Sequence, residues 1–440
     1  GGRALAVGGC VRDAALGRVA CDIDIEVHGI PAAALEDLLA ARFRIDRVGR
    51  AFGVLKLHGL PIDVAVPRRE SKAGLGHRGF LVESDPNLSM VEAAARRDFT
   101  INAVMMDPLT GEVMDPFGGL RDLRGGILRH TSDKFAEDPL RVLRGMQLAA
   151  RFDLDVASET VALARSIEPE GLAAERVFEE WRKLVLLGVT PSRGLRFLAD
   201  SGWIRHYPEL SATIGCPQDP DWHPEGDVWA HTLRCMDAFA AERIGDAEED
   251  MVVGLATLCH DLGKPATTTF EDGRIRSRGH DAAGAEPTRA FLARLTNSVA
   301  LADQVVALVV HHLRPQHLWD QRAGDAAVRR LARAVGRIDR LVRVARADRQ
   351  GAQGAIGAPF PAGDWLLARA RELAIADAAP PPVVMGRHLI AMGLAPGPGL
   401  GTILEACYEA QLDGTFADLE GGLAYATALV ECSDRGRDAR

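Results

Sequence analysis

Two sets of residues on this chain could do chemistry, and the two chemistries differ. Near the start, Gly8-Gly9-Cys10-Val11-Arg12-Asp13 is followed by Asp22-Ile23-Asp24. Side chains on a strand alternate between faces, so Asp22 and Asp24 point one way while Ile23 and Ile25 point into a core. Adjacent carboxylates repel unless a cation joins them, and a hard divalent ion such as Mg2+ takes oxygen ligands. Far downstream, His231, the pair His260-Asp261, His280, His312 and Asp348 make a mixed imidazole–carboxylate set. That donor mixture suits a transition metal such as Ni2+, Mn2+ or Co2+ rather than magnesium.

Three further strings surround the first set. Gly8-Gly9 ends a strand and opens a helix, where backbone N–H groups can approach a phosphate; a simple tight turn is the alternative. Arg12 and Asp13 follow one turn on. Asp63, on a neighbouring strand, is either a third carboxylate or a surface residue after a turn. In Arg96-Arg97-Asp98-Phe99-Thr100-Ile101-Asn102 the arginines suit bidentate contact with a triphosphate, and Asn102 can hydrogen-bond sugar or phosphate. In Glu137-Asp138-Pro139-Leu140-Arg141, Pro139 marks a helix start, so Asp138 and Arg141 share a face. An acceptor beside a fixed donor fork can imitate the pairing edge of a base. In isolation the same two residues are an exposed pair worth a few tenths of a kcal/mol.

The elements that must position these residues change character along the chain. Up to about residue 125, short strands alternate with helices: Leu5–Val7, Asp22–Val27, a hairpin of Gly53–Leu57 and Ile62–Val66 about Gly59-Leu60-Pro61, and a pair Ile101–Met106 with Glu112–Asp115. Helices are expected over Val11–Leu16 and Ala32–Arg42. From about 130 the strand signal disappears and helical periods continue through Pro139–Ala150, Glu159–Ile167, Ala174–Leu187 and Arg193–Ser201. A Pro/Asp-rich break at 215–220, a loose Gly/Ala/Pro segment at 351–363 and Ala378-Ala379-Pro380-Pro381-Pro382 divide the remainder. The expected fold is α+β, a small mixed-sheet head followed by an all-α neck, a His-rich helical domain and a helical C-terminal tail. The boundaries read as 1–129, 130–214, 215–360 and 361–440.

Composition sets the wider bounds. At 440 residues, 47% apolar and 26% charged, the chain is long enough for several ordinary cores. Its seven cysteines are odd in number and scattered without a CxxC pair, which reads as reduced thiols in a cytoplasmic protein. No apolar run approaches a membrane span and no signal-peptide pattern opens the chain; Gly1-Gly2-Arg3, without Met, points to a trimmed N-terminus. A net charge of −9 argues against indiscriminate nucleic-acid binding. Locally, Arg322 to Arg349 holds nine arginines against three aspartates, with Arg337, Arg340, Arg343, Arg346 and Arg349 at every third position. That stripe is either a solvated helix face or an RNA-backbone contact.

Taken in order, GGCVRDAALG, DID, RRDFTINAV, DPFGGLRDL, EDPLRVLR and Glu175-Arg176-Val177 resemble the class II tRNA nucleotidyltransferases, the CCA-adding enzymes and their bacterial poly(A) polymerase relatives. The resemblance spans the first 200 residues or so. It implies that Asp22 and Asp24 bind the catalytic metals, and that Arg97, Asp98 and Asn102 hold the nucleotide, with Gly8, Gly9, Arg12 and Arg144 in the same grip. It implies that Asp138 and Arg141 choose C or A without a nucleic-acid template, and that Arg176 supports the triphosphate or the neck. The string Val48-Gly49-Arg50-Ala51-Phe52-Gly53-Val54 is similar to that of CCA enzymes, and no Arg-Arg-Phe signature of poly(A) polymerases is evident. Glu70 to Ala95 has the length of a stretch that in the family includes a flexible loop needed for A addition.

Trp229-Ala230-His231-Thr232, Leu258 to Lys264, Gly279-His280-Asp281 and His311-His312-Leu313-Arg314-Pro315 resemble the HD phosphohydrolase superfamily, and specifically the HD domain found C-terminal in some bacterial CCA enzymes. His231, His260, Asp261 and Asp348 are then the core ligands, and His280 and His312 bind a second metal or grip substrate phosphate. His312 is preferred over His311, and His223 and His317 are read as structural. The expected activity is CCA addition to tRNA 3′ ends from CTP and ATP, with hydrolysis of 2′,3′-cyclic phosphates or end phosphates at the HD set, by a monomer or homodimer. The rivals are an A-adding or poly(A)-type enzyme, and a phosphohydrolase whose head only grips RNA or nucleotide.

Overall fold

The computed structural model describes residues 2–20, 22–48, 53–72 and 80–438. Four residues of the Val48–Val54 string, seven of the Glu70–Ala95 stretch and Cys21 lie outside the described residues. The chain forms two compact units, Gly1–Ser211 with Phe291–Asn297, and Ala212–Ala290 with Ser298–Arg440.

The first unit is built on a seven-stranded sheet of order β3-β4-β5-β2-β1-β8-β9. Its strands are β1 (Arg3–Val7), β2 (Ile23–His28), β3 (Ile45–Val48), β4 (Val54–Leu57), β5 (Ile62–Ala65), β8 (Met105–Met106) and β9 (Val113–Met114). A separate ribbon pairs β6 (Arg68–Lys72) with β7 (Phe80–Ser84). All neighbours in the large sheet are antiparallel except β2 and β5, which run parallel with Asp24 beside Asp63. The alternation seen in the sequence holds: Val27, Leu55, Leu57 and Val64 are buried with Leu35 of helix Ala32–Ala40. The Gly53–Val66 hairpin forms as β4 and β5.

Two expectations need correction. Ile101–Met106 is not one strand; Thr100–Asn102 is a 3-10 turn and only Met105–Met106 pairs. Here Asn102 N donates to the Phe99 carbonyl (2.9 Å) and Ala103 N to the Thr100 carbonyl (3.0 Å), so backbone donors are used in turns and not in a ladder. Nor does strand end at about 130. β10 (Ile127–Leu128) pairs with β11 (Asp155–Val156), and β12 (Thr268–Glu271) with β13 (Arg274–Ser277). The second pair turns on Asp272-Gly273, both at positive φ, the signature of a two-residue hairpin.

Beyond the sheet the first unit is helical. Helix Leu140–Phe152 packs against Ala174–Leu187 and Pro191–Asp200, around the fully buried Leu143, Met146 and Trp181. Trp181 Nε1 donates to the Tyr207 hydroxyl (3.1 Å), so the indole is buried without an orphaned donor. In the second unit, helix Val228–Ala241 packs on Ala247–Cys259 and Ile338–Gln353. Asp227 and Asp246 cap the first two by accepting from Ala230 N and from Glu248 and Glu249 N. No helix among the described residues is long and apolar enough to cross a membrane.

Candidate active sites

Parallel pairing of β2 with β5 decides the first site. Side-by-side positions share a face, so the Asp24 and Asp63 carboxylates emerge together. Burial raises the Asp24 pKa; Arg97 opposes this, while the charges of Asp63 and Asp22 add to it. Asp22 precedes the strand and is exposed. Asp63 also pairs with Lys56 across β4 (3.2 Å). The all-oxygen donor set of these three acids fits a hard divalent ion, whose charge would offset the crowding at Asp24.

Asp24 and Asp63 stand in a cavity of about 370 Å³ whose wall also carries Arg68, Arg96, Arg97, Arg141, Arg144 and Arg176. Such a concentration of guanidinium groups suits a polyanion. Buried Nε of Arg97 and Nη1 of Arg176 have no hydrogen-bond partner within the protein. Gly8, at φ 75°, turns the chain beside this wall; a Cβ there would stand 3.1 Å from Arg97 Nη1 and 3.5 Å from Asp24 Oδ2. Gly9 begins helix Gly9–Ala15.

Two predicted nucleotide contacts, Arg12 and Asn102, are not among the residues that line the cavity. Arg12 is buried, stacked over Phe152 and donating to Asn102 Oδ1 (2.7 Å) and to Asp13. Asn102 passes the chain on to Asp98, which accepts from Arg144 Nε (2.7 Å) and Phe99 N. Burial alone would raise the Asp98 pKa, but Arg144 and these donors bring it down to about 2. Arg12 and Asn102 are thus spent on orienting Asp98 and Arg144, which do line the cavity. Asp138, just before the N-cap Pro139, and Arg141, in the first turn of helix Leu140–Phe152, both line the cavity. Asp138 accepts from Leu140 N and Arg176 Nη2, while Arg141 donates to the carbonyls of Lys134 and Arg96 (both 2.6 Å).

The second cluster owes its geometry to helix ends. His260 and His312 are the C-terminal cap residues of helices Ala247–Cys259 and Val299–His311. Each donates Nδ1–H to the carbonyl three residues back, Thr257 and Val309, at 2.7 Å, using an acceptor that a helix end leaves open. His280, following Gly279, does the same to Ser277 (2.7 Å). A carbonyl only accepts, so Nδ1 of each ring carries a hydrogen and Nε2 is the atom turned toward the cluster. His231 donates Nδ1–H to Glu225 (2.7 Å). The Nε2 atoms then meet: His231 to His260 at 3.2 Å and His280 to His312 at 3.3 Å.

Carboxylates complete the cluster. Asp348 Oδ1 is 3.0 Å from His231 Nε2; Asp261 lies between the two histidine pairs, 3.3 Å from His260 and 3.3 Å from His280. Three overlapping groups of potential ligands result: His231, Cys235, His260 and Asp348; His223, Glu225 and His231; and Asp261, His280 and His312. A proton or a bound metal ion would relieve donors set this close together. Burial disfavours a proton on His231, yet Cys235, Asp348 and Glu225 outweigh it and hold its pKa well above the usual range. Burial and the neighbouring His260 push His312 down to about 4, leaving it a neutral donor. The field that draws a proton to His231 draws a divalent ion equally, and nitrogen–oxygen donors fit a transition metal.

Comparisons with known proteins match the two parts of the chain that carry these clusters. Residues 4–129 match the Poly A polymerase head domain and residues 228–349 the HD domain. The chain is 39% identical over 324 residues to the multifunctional CCA protein of Xanthomonas campestris pv. campestris strain B100, covering 72% of this chain and 76% of that one. It is 40% identical over 341 residues to that of Stenotrophomonas maltophilia strain K279a, covering 76% and 80%. The chain belongs to the multifunctional CCA protein family. The same fold occurs in the Bacillus stearothermophilus CCA-adding enzyme solved in complex with CTP, at 24% identity and a TM-score of 0.65 over 100% of this chain and 95% of that one.

For a multifunctional CCA protein, the sequence reading left out four residues that the geometry brings forward. Glu26 continues the Asp22, Asp24 alternation, is buried, and holds Arg96 (3.3 Å), Arg97 (3.7 Å) and His28. Glu225 accepts from both His223 and His231, which gives His223 a place beside the cluster. Lys264, at the end of the His-Asp string, is buried 2.8 Å from Asp261. Cys235 stands one helical turn after His231. The arginine stripe resolves the other way: Arg337 and Arg340 pair with Glu249, Arg343 with Asp250, and Arg346 with Asp364. Those charges are spent within the protein.

Proposed function

We infer that the protein adds CCA to tRNA 3′ ends from CTP and ATP, choosing nucleotides with its own side chains, and that its HD cluster hydrolyses phosphoesters at such ends. The observation that carries the first part is Asp24 set laterally beside Asp63 at an arginine-walled cavity, in a chain of this family. Asp22, Asp24 and Asp63 would hold divalent metal, Mg2+ by their oxygen chemistry, which when bound lowers the barrier to 3′-hydroxyl attack and offsets charge on departing pyrophosphate. Arg97 and Arg144 receive the triphosphate; Asp98, fixed by Arg12, Asn102 and Phe99 N, keeps Arg144 aimed. Asp138 and Arg141 offer an acceptor and a donor fork to the base, with Arg176 bracing Asp138. The 3′ oxygen forms its bond to the α-phosphorus as the bond to pyrophosphate breaks.

For the second part, the two histidine pairs, Asp348 and Asp261 would hold a transition metal such as Ni2+, Mn2+ or Co2+, which makes bound water acidic and polarises a phosphoryl oxygen. Glu225 fixes the His231 tautomer, and Lys264 places a cation beside Asp261. The proposed substrates are 2′,3′-cyclic phosphates or phosphate left on a damaged tRNA end. We place both activities in the cytoplasm, in a monomer or homodimer; Cys10, Cys216, Cys235 and Cys407 are free thiols. The reading is tested by replacing Asp24→Ala and His260→Ala separately. The first should abolish nucleotide addition and spare hydrolysis, and the second the reverse. Loss of both activities from either change in a folded protein would refute separate sites.

A further inference from the structure

We propose that Cys235 is a sulfur ligand of the HD metal centre, which turns a nitrogen–oxygen site into one that favours thiophilic divalent ions such as Co2+ or Zn2+. The inference rests on reading the histidine cluster as a metal centre. His231 and Cys235 are four residues apart on helix Val228–Ala241 and so face the same way. Cys235 Sγ is fully buried, 3.3 Å from His231 Nε2, and with His260 and Asp348 it offers four potential donor atoms within 4.8 Å of one another. Three of the four are nitrogen or oxygen donors, and Asp261, 2% exposed, stands alongside them 3.3 Å from His260 Nε2.

Packing fixes the thiol there. A Cβ built at Gly351, three residues beyond Asp348 on helix Ile338–Gln353, would come within 2.4 Å of Cys235 Sγ and 3.0 Å of its backbone N. Only glycine lets that helix approach closely enough to bring Asp348 and the sulfur to one centre. Thiolates bind soft and borderline ions far better than Mg2+ or Mn2+, so sulfur here narrows the choice of metal. On binding, the metal–sulfur bond forms as the S–H bond breaks, and the proton leaves to solvent.

The test is electronic absorption of the full-length protein titrated with Co2+, for wild type, Cys235→Ser and His260→Ala. Wild type should show visible ligand-field bands together with a sulfur-to-cobalt charge-transfer band in the near ultraviolet. Cys235→Ser should keep the visible bands, lose the near-ultraviolet band and release one proton fewer per metal. Visible bands without charge transfer in wild type, or charge transfer persisting in Cys235→Ser, would overturn the sulfur ligand while leaving the metal centre standing. No cobalt bands sensitive to His260→Ala would overturn the metal centre and the sulfur ligand together. Should Cys235→Ser not fold, X-ray absorption of the zinc-loaded wild type decides: a sulfur scatterer at about 2.3 Å supports the ligand and its absence overturns it.

Discussion

Replacing Glu26 by Gln keeps the shape of the side chain and removes one charge behind the nucleotide cavity. The carboxylate is 3% exposed and faces Arg96, Arg97 and His28. Burial alone would raise its pKa; the His28 hydrogen bond and the charges of Arg97 and Arg96 outweigh burial and bring it from 4.5 to about 2. A depression of that size corresponds to about 3 kcal/mol of folded-state stability. Removing one partner of a buried pair costs about 3–5 kcal/mol, so the two routes agree. A depressed carboxylate stabilises fully above its unfolded pKa and loses that contribution as pH falls toward the folded value. The Glu26→Gln deficit should therefore be about 3 kcal/mol at pH 7 and about 1.5 kcal/mol at pH 3. Urea-dependent hydrogen exchange at β1 and β2 amides reads it locally. Because Arg96 and Arg97 line the cavity, KM for CTP and ATP should rise together with the choice between them unchanged. A deficit under about 1 kcal/mol at pH 7, or one that does not shrink with acid, would refute the reasoning.

Arg141→Ala should lower the discrimination among CTP, ATP, UTP and GTP by about 1–3 kcal/mol, by analogy with bidentate base contacts, and reduce turnover less. Ratios of kcat/KM across the four nucleotides check it; unchanged ratios would remove Asp138 and Arg141 from the choice of base. The HD cluster should release phosphate or monoester from nucleoside 2′,3′-cyclic phosphate with Ni2+, Mn2+ or Co2+ and not with Mg2+ alone. No turnover across that panel, with metal shown to be bound, would make the cluster structural or direct it to another phosphoester.

Much of both sites was legible because their chemistry is carried by residue type and period. The DID alternation located the head carboxylates, and spaced histidines located the HD cluster. What sequence could not show is which polar residues are spent on each other. Arg12 and Asn102 read as nucleotide contacts, but their bonds run to each other and to Asp13 and Asp98. The arginine stripe read as free charge, but its partners Glu249, Asp250 and Asp364 are distant in sequence. Glu26 was accessible, since the same two-residue period reaches it. So was the β12–β13 hairpin, whose Asp272-Gly273 is a strong turn signal inside a helical block. Asp63 was legible as a possible third carboxylate, but the register that sets it directly beside Asp24 was not, because two strands separated by a helix and another hairpin are aligned by packing.

The central claim, one cavity that adds C and then A without a template, is tested by incubating tRNA that lacks CCA with each labelled nucleoside triphosphate alone and with CTP and ATP together. The account predicts two C additions from CTP alone, one further A when ATP is present, and none from UTP or GTP, all lost in Asp24→Ala. Incorporation of ATP alone, extended into an A tract or confined to tRNA already ending in CC, would contradict it in favour of a poly(A)-type or A-adding enzyme.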